Sequence, residues 1–207
     1  MFMIRPEISG FPGPEDIKNF LLAGIVTGMS FAAFFGSFDV FGVLRYTFLS
    51  FLVLLARETG VRMVVYKLDG YVDLLLSKEG ASTGLVTAIG AAVTGLPLLA
   101  LFPVETSVSR KAYENWGKSV DVIWARYEFY ISAVAVLVPL ITGFLTLGFG
   151  FDRLAHVSGL FCLFQMMPFD YRSIPTGKLD GADIIRWSGF YWLFLTGTSI
   201  MLIALSL

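Results

Sequence analysis

Six apolar stretches constrain this chain more than any other feature, because each is close to the ~20 residues that a helix needs to cross ~30 Å of hydrocarbon. Hydrophobic residues make up 56% of the chain and its mean hydropathy is +0.75, well above the values of ordinary soluble domains. The sequence therefore predicts an all-α polytopic membrane protein that forms a single transmembrane domain over residues 1–207. The predicted spans are residues 17–36, 40–60, 83–103, 129–149, 154–169 and 186–207.

From the charge balance, no nucleic-acid partner is expected. Fifteen Lys and Arg residues oppose 16 Asp and Glu residues, which gives a formal net charge of −1, and the sequence shows neither a basic face nor a charged tail. The expected partners are the lipid bilayer and other membrane proteins or transmembrane helices. In a six-span topology the basic residues are balanced between the two sides, so orientation stays open.

Charged residues interrupt the second apolar stretch, where hydrocarbon admits charge only with partners. Arg57, Glu58 and Arg62 follow an apolar helical run, and this segment is expected to be a functional site or the remnant of one. Arg45 lies in the same span. It either extends its side chain to the membrane interface or forms an ion pair inside the helix bundle.

The connections between spans give three further expectations. After Arg62 the residues become β-branched and aromatic, with Asp69-Gly70 as a turn signal, which predicts a short strand or hairpin after the second helix. Pro97 is expected to kink the third span, and residues 104–128 are expected to form the longest polar connection. The fifth span is short because Pro168 ends it.

The segment Arg57-Glu58-Thr59-Gly60-Val61-Arg62 resembles the zinc motif of the site-2 protease family of intramembrane metalloproteases. In that family a membrane helix carries H-E-x-x-H, whose two histidines bind zinc while the glutamate acts as general base. Arg57 stands at the first histidine position and Val61 at the second. Only Glu58 matches the motif.

Further segments extend this resemblance over roughly residues 17–190. Residues 62–70 are similar to the basic, Val/Ala-rich and Gly-turn segment of short archaeal members, and residues 131–136 are similar to the start of their fourth helix without its Gly-Pro. Gln165 replaces the Asn of the family's Asn-x-x-Pro segment. Leu179-Asp180-Gly181 matches the Leu-Asp-Gly segment whose aspartate is the third zinc ligand. The resemblance implies a site-2-protease-like core in the cell membrane of a prokaryote.

A zinc site of this family needs about three protein ligands, and Asp180 alone remains of the implied set. Zinc and other cofactors are therefore not expected, and Glu58 and Asp180 are vestigial catalytic candidates. His156 is expected to be a hydrogen-bonded structural residue rather than a substitute ligand. The resemblance implies that Arg57 faces Asp180, while Glu58 and Arg62 pair at i and i+4. The expected intramembrane polar cluster comprises Arg57, Glu58, Arg62, Gln165 and Asp180.

These features favour a catalytically inactive membrane protein over an enzyme. Such a pseudoprotease would bind a membrane helix or serve as a structural subunit of a membrane complex. One alternative is a divergent intramembrane metalloprotease or another membrane enzyme. A further alternative is a proton-conducting, ion-conducting or transport component, because buried charges also line such pathways.

Overall fold

A computed structural model of the chain describes residues 12–67, 70–76, 78–99, 104–110, 120–168 and 179–207. These residues are predominantly helical, as predicted, and also contain two short strands. In chain order they are α1 (Pro14–Phe34), α2 (Val40–Lys67), β1 (Gly70–Leu76), α3 (Lys78–Thr94), β2 (Val104–Arg110), α4 (Val120–Gly148), α5 (Asp152–Gln165), α6 (Asp180–Trp187) and α7 (Gly189–Leu205).

Three of the described helices are long and apolar enough to cross a membrane, namely α1, α2 and the Arg126–Gly148 part of α4. Two further apolar helices, Gly80–Thr94 and Gly189–Leu205, are shorter than a full span. The prediction of a membrane protein is therefore supported, but the described residues contain three such helices rather than six.

The third and sixth predicted spans are not continuous helices. The predicted span 83–103 ends early: α3 stops at Thr94 because Gly95 adopts a φ of 69°. Pro97 therefore lies beyond the helix and does not kink it. The predicted span 186–207 is divided, since extended backbone at Ser188 separates α6 from α7. Hydropathy detects apolar residues, but it does not detect these breaks in the helix.

The fourth span begins earlier than predicted and the fifth is close to its predicted length. Helix α4 starts at Val120, inside the segment expected to be a polar connection, rather than at residue 129. Helix α5 ends at Gln165, shortly before Pro168, which fits the short fifth span predicted at 154–169.

The expected strand after the second helix is present, but it does not form a local hairpin. Strand β1 pairs antiparallel with β2, so that Gly70 lies opposite Arg110 and Leu76 opposite Val104. Residues 104–110, which were expected to be part of a polar connection, form this second strand. Because β1 precedes α3 and β2 follows it, both ends of the intervening segment lie beside the sheet. We call this end of the molecule the strand end.

The opposite end of the molecule carries two helix-to-helix turns. Gly36 joins α1 to α2 and Gly150 joins α4 to α5, each with a positive φ (64° and 80°) that favours glycine. The Phe35 ring, beside the first turn, lies 5.5 Å from the His156 ring of α5, centroid to centroid. The Arg153 guanidinium lies 5.6 Å from the centre of the same Phe35 ring. The two turns are therefore neighbours, and we call this end the turn end.

Small residues of α1 and α3 pack inside the chain. Gly28 lies against the backbone of Thr47 in α2, where any side chain would overlap it. On another side of α1, Ala33 clusters with Ala88 and Ala91 of α3. These small residues therefore bring α1 close to both α2 and α3.

Candidate functional site

Arg57 is the centre of a buried charge network at the C-terminal half of α2. Its side chain donates from Nη1 to Glu58 Oε1 at 2.9 Å and from Nη2 to Asp180 Oδ2 at 3.1 Å. Arg57 is only 2% exposed, so both ion pairs are shielded from solvent. The predicted contact between Arg57 and Asp180 is confirmed, although 123 positions separate the two residues in sequence.

The local structure of the Leu-Asp-Gly segment explains how Asp180 reaches Arg57. Leu179 has extended backbone and a buried side chain that packs against Phe164 and Met167. Gly181 lies against the backbone carbonyl of Met166, in a position where any Cβ would overlap that carbonyl. Leu179 therefore anchors the segment and Gly181 allows the close approach. Asp180, between them, is the first residue of α6 and points at Arg57.

The network continues from α2 to α1 through Arg62. Arg62 Nε lies 3.7 Å from Glu58 Oε2, which confirms the predicted i, i+4 pair. Arg62 Nη2 also donates to Asp16 Oδ2 at 2.9 Å. Asp180, Arg57, Glu58, Arg62 and Asp16 thus alternate in sign along one connected path, and we call these five residues the charge network. It links α6, α2 and α1.

Asp16 also joins the charge network to the sheet. Its Oδ1 accepts a hydrogen bond from the backbone N–H of Leu74 at 2.9 Å, while Asn19 Nδ2 donates to the Leu74 carbonyl at 2.8 Å. No motif in the sequence marks Asp16 as a site residue. A buried aspartate at the start of a helix has a local explanation in the helix dipole, which concealed its contact with Arg62.

A second carboxylate lies one turn after Asp180. Asp183 is buried and accepts a hydrogen bond from Ser132 of α4 at 3.2 Å, and Arg186 lies 3.8 Å away on the same helix. This contact holds α6 against α4. Ser132 was noted only as part of the segment that resembles the family's fourth helix.

Two further polar residues belong to α5. Gln165 is 1% exposed, and its Nε2 has no hydrogen-bond partner among the described residues. Its membership of the polar cluster stays a prediction. His156 lies at the turn end, where its Nδ1 is 3.0 Å from the Ser206 hydroxyl. This contact confirms the prediction that His156 is hydrogen-bonded.

Two of the carboxylates in the charge network share one arginine as their cationic partner. Within the part of the chain that the structure describes, no group of three or more His, Cys, Asp or Glu side chains is placed to hold a metal ion. The Arg57 guanidinium lies between the carboxylates of Glu58 and Asp180, and an arginine remains charged under all physiological conditions. A cation therefore already occupies the position between these two carboxylates.

A small cavity adjoins the α1 side of the charge network. Its volume is about 270 Å³, and its lining includes Asp16, Glu58, Arg62, Phe20 and Leu55.

Comparison of the chain with protein-family models, with curated proteins and with solved structures found no match.

Proposed function

We propose that this chain is a non-catalytic, polytopic membrane protein with a site-2-protease-like core, in which an arginine-centred charge network takes the place of a zinc site. The observation that carries the proposal is the Arg57–Asp180 ion pair at 3.1 Å. By the resemblance, a zinc-binding histidine and the third zinc ligand would occupy these two positions. Residues that faced one metal ion would be expected to remain neighbours after its loss.

Burial of the network supports a structural role. Removing two charges from water costs several kcal/mol per ion, and mutual attraction offsets this cost only when the geometry is good. Arg57 contacts two carboxylates at about 3 Å, and Arg62 contacts Asp16 on its far side. The five residues therefore fix the relative positions of α6, α2 and α1. The Arg57 guanidinium occupies the position between Glu58 and Asp180 where the proposal would otherwise place a metal ion with an open site for water.

The topology that we propose has five passes between the strand end and the turn end, by α1, α2, α4, α5 and α7, of which α1, α2 and α4 are long and apolar enough to cross the membrane. Helix α3 would enter from the strand end, and the chain is at that end again at Val104. The 17 residues of α3 rise about 25 Å, less than the ~30 Å of the hydrocarbon core. The pairing of β1 with β2 supports this topology because it requires residues 70–76 and 104–110 to be adjacent.

The proposed activity is binding of another transmembrane helix or membrane subunit. Many large apolar side chains are exposed on helices that are apolar enough for the membrane, including Phe41, Phe48, Phe190, Leu193 and Phe194. Lipid covers such surfaces in part. A chain whose ancestral catalytic position holds an ion pair has these intramembrane faces as its main means of action.

Metal analysis of the purified chain tests the proposal most directly. We expect less than about 0.1 zinc per chain after purification in the presence of zinc, and no cleavage of a transmembrane peptide. A matched pair of variants interprets any metal that does bind. Asp180→Asn removes the implied ligand, whereas Asp152→Asn removes an aspartate that likewise begins a helix but lies at the turn end. Stoichiometric zinc that is lost in Asp180→Asn and retained in Asp152→Asn would overturn the proposal.

Copurification tests the binding role separately. A tagged chain extracted from its native membrane in mild detergent should retain a second membrane protein at fixed stoichiometry, as measured by mass spectrometry. The control is a membrane that contains the untagged chain, carried through the same steps. A homogeneous, folded monomer without a second protein would contradict the subunit role.

A further inference from the structure

A cavity of about 910 Å³ opens at the turn end of the molecule, remote from the charge network. Apolar side chains of α2 form one wall, among them Phe48, Leu49 and Leu52, and the α4–α5 turn contributes Phe151. Pockets of about 300–1,000 Å³ with mainly apolar walls and a few polar groups are typical of small-molecule sites.

Two arginines line this cavity from different elements. Arg45 belongs to α2 and Arg153 to α5, and both are exposed. Within the described ranges neither guanidinium forms an ion pair, so the alternative in which Arg45 pairs inside the bundle is not supported. Asp152 is the one acidic side chain in the lining, and as the first residue of α5 it also faces the positive end of that helix. The side chains that line the cavity therefore carry a net positive charge.

With the turn end at one face of the membrane, as in the proposed topology, Arg45 lies at the depth of the headgroup region. Helix α2 begins at Val40 beside the turn, and five residues of helix place Arg45 about 7 Å further along the axis. The headgroup layer adds about 5–8 Å to each side of the hydrocarbon core. A long arginine side chain on this turn of the helix therefore reaches phosphate groups, while its stem lies along apolar surface.

We propose that this cavity binds an anionic phospholipid, with the lipid phosphate between Arg45 and Arg153 and an acyl chain along Phe48, Leu49 and Leu52. Guanidinium groups bind phosphate through charge-assisted hydrogen bonds, and two of them from separate helices enclose one anion. The apolar wall explains why a lipid fits better than a free phosphate ion. Binding would join α2 to α5 at the turn end.

The test measures binding of short-chain phosphatidylglycerol to the full-length chain in detergent, by native mass spectrometry and by the shift in unfolding temperature. Arg45→Gln and Arg153→Gln should each weaken binding about fivefold, and the double variant about 25-fold, as expected for loss of one cation each near a lipid phosphate. Arg126→Gln is the matched control, because Arg126 is also an exposed arginine but lies near the other end of α4, bonded to Tyr130. The Arg126→Gln variant should bind phosphatidylglycerol as tightly as the unsubstituted chain does.

Phosphatidylcholine and inorganic phosphate are the comparison ligands. We expect phosphatidylcholine to bind at least tenfold more weakly, and inorganic phosphate alone to produce no shift in unfolding temperature. Arg45→Lys preserves the charge and should retain most of the affinity, which separates lost binding from lost folding. Equal binding of both lipids, saturation by inorganic phosphate, or equal losses in Arg126→Gln and Arg45→Gln would each overturn the proposal.

Discussion

Breaking the Arg57–Asp180 pair should expose the energetic coupling between α2 and α6. Arg57 is 2% exposed and lies about 3 Å from each of two carboxylates. At an effective dielectric constant near 20, unit charges at this distance attract by roughly 5 kcal/mol. Desolvation offsets much of this attraction, but Arg57→Ala leaves a buried carboxylate without its cation. We therefore expect it to lower the free energy of unfolding by about 3–5 kcal/mol.

A double-mutant cycle isolates the pair from other effects of each substitution. Asp180→Asn should also be destabilising, because it leaves the Arg57 charge only partly compensated. In the double variant neither charge remains, so the combined loss should fall short of the sum of the single losses by about 1–3 kcal/mol. The measurement is reversible unfolding in mixed micelles titrated with a denaturing detergent, followed by the fluorescence of the four tryptophans.

Asp152→Asn combined with Arg57→Ala provides the control cycle. Asp152 begins α5 as Asp180 begins α6, but it lies at the turn end and lines the larger cavity. Its effect should add to that of Arg57→Ala within about 0.5 kcal/mol. A coupling free energy below about 0.5 kcal/mol between Arg57 and Asp180 would refute the role of the ion pair. Equal coupling free energies in the two cycles would refute it as well.

Three further predictions concern separate parts of the structure. Gly181→Ala should destabilise the chain by about 1–3 kcal/mol, because its Cβ would overlap the Met166 carbonyl, whereas Gly189→Ala, which meets open space, should be nearly neutral in thermal unfolding. Asp16→Asn should lower the free energy of unfolding by about 1–3 kcal/mol, because the ion pair with Arg62 is lost. Glu15→Gln, at an exposed neighbouring position, should leave it unchanged. Equal effects of the two substitutions would contradict the extension of the charge network to α1. In a Cys162→Ser background, cysteines at positions 37 and 149 should react with an impermeant reagent from one side of the membrane and those at 66 and 107 from the other. Labelling of 107 together with 37 would show that α3 crosses completely.

The sequence predicted the contact between Arg57 and Asp180 because a resemblance supplied their shared position. No local pattern supplied it, since each residue has acceptable alternatives within its own helix. Asp16 was missed for this reason: its carboxylate suits a helix N-terminus, so nothing required a contact with Arg62. Gln165 is a different case. Its position in the motif suggested membership of the cluster, and its buried Nε2 has no hydrogen-bond partner among the described residues.

The fold was predictable where apolarity and helix continuity coincide, as in α1 and α2. It was not predictable in the 83–103 stretch, where apolar residues continue beyond the helix end at Thr94 and Gly95. Strand β2 was also missed. Its pairing with β1 is a long-range contact, and residues 104–110 alone, with charges of both signs, resemble an ordinary surface connection.

The contacts of Leu74 have a consequence for association between copies of the chain. Both backbone polar groups of Leu74 are bonded to side chains of α1, Asp16 on the N–H and Asn19 on the carbonyl. Unpaired strand edges are templates for adding another strand, and proteins avoid this hazard by covering them. The α1 side chains block the outer edge of β1 at its centre. Any intermolecular extension of this two-stranded sheet would therefore have to start along β2.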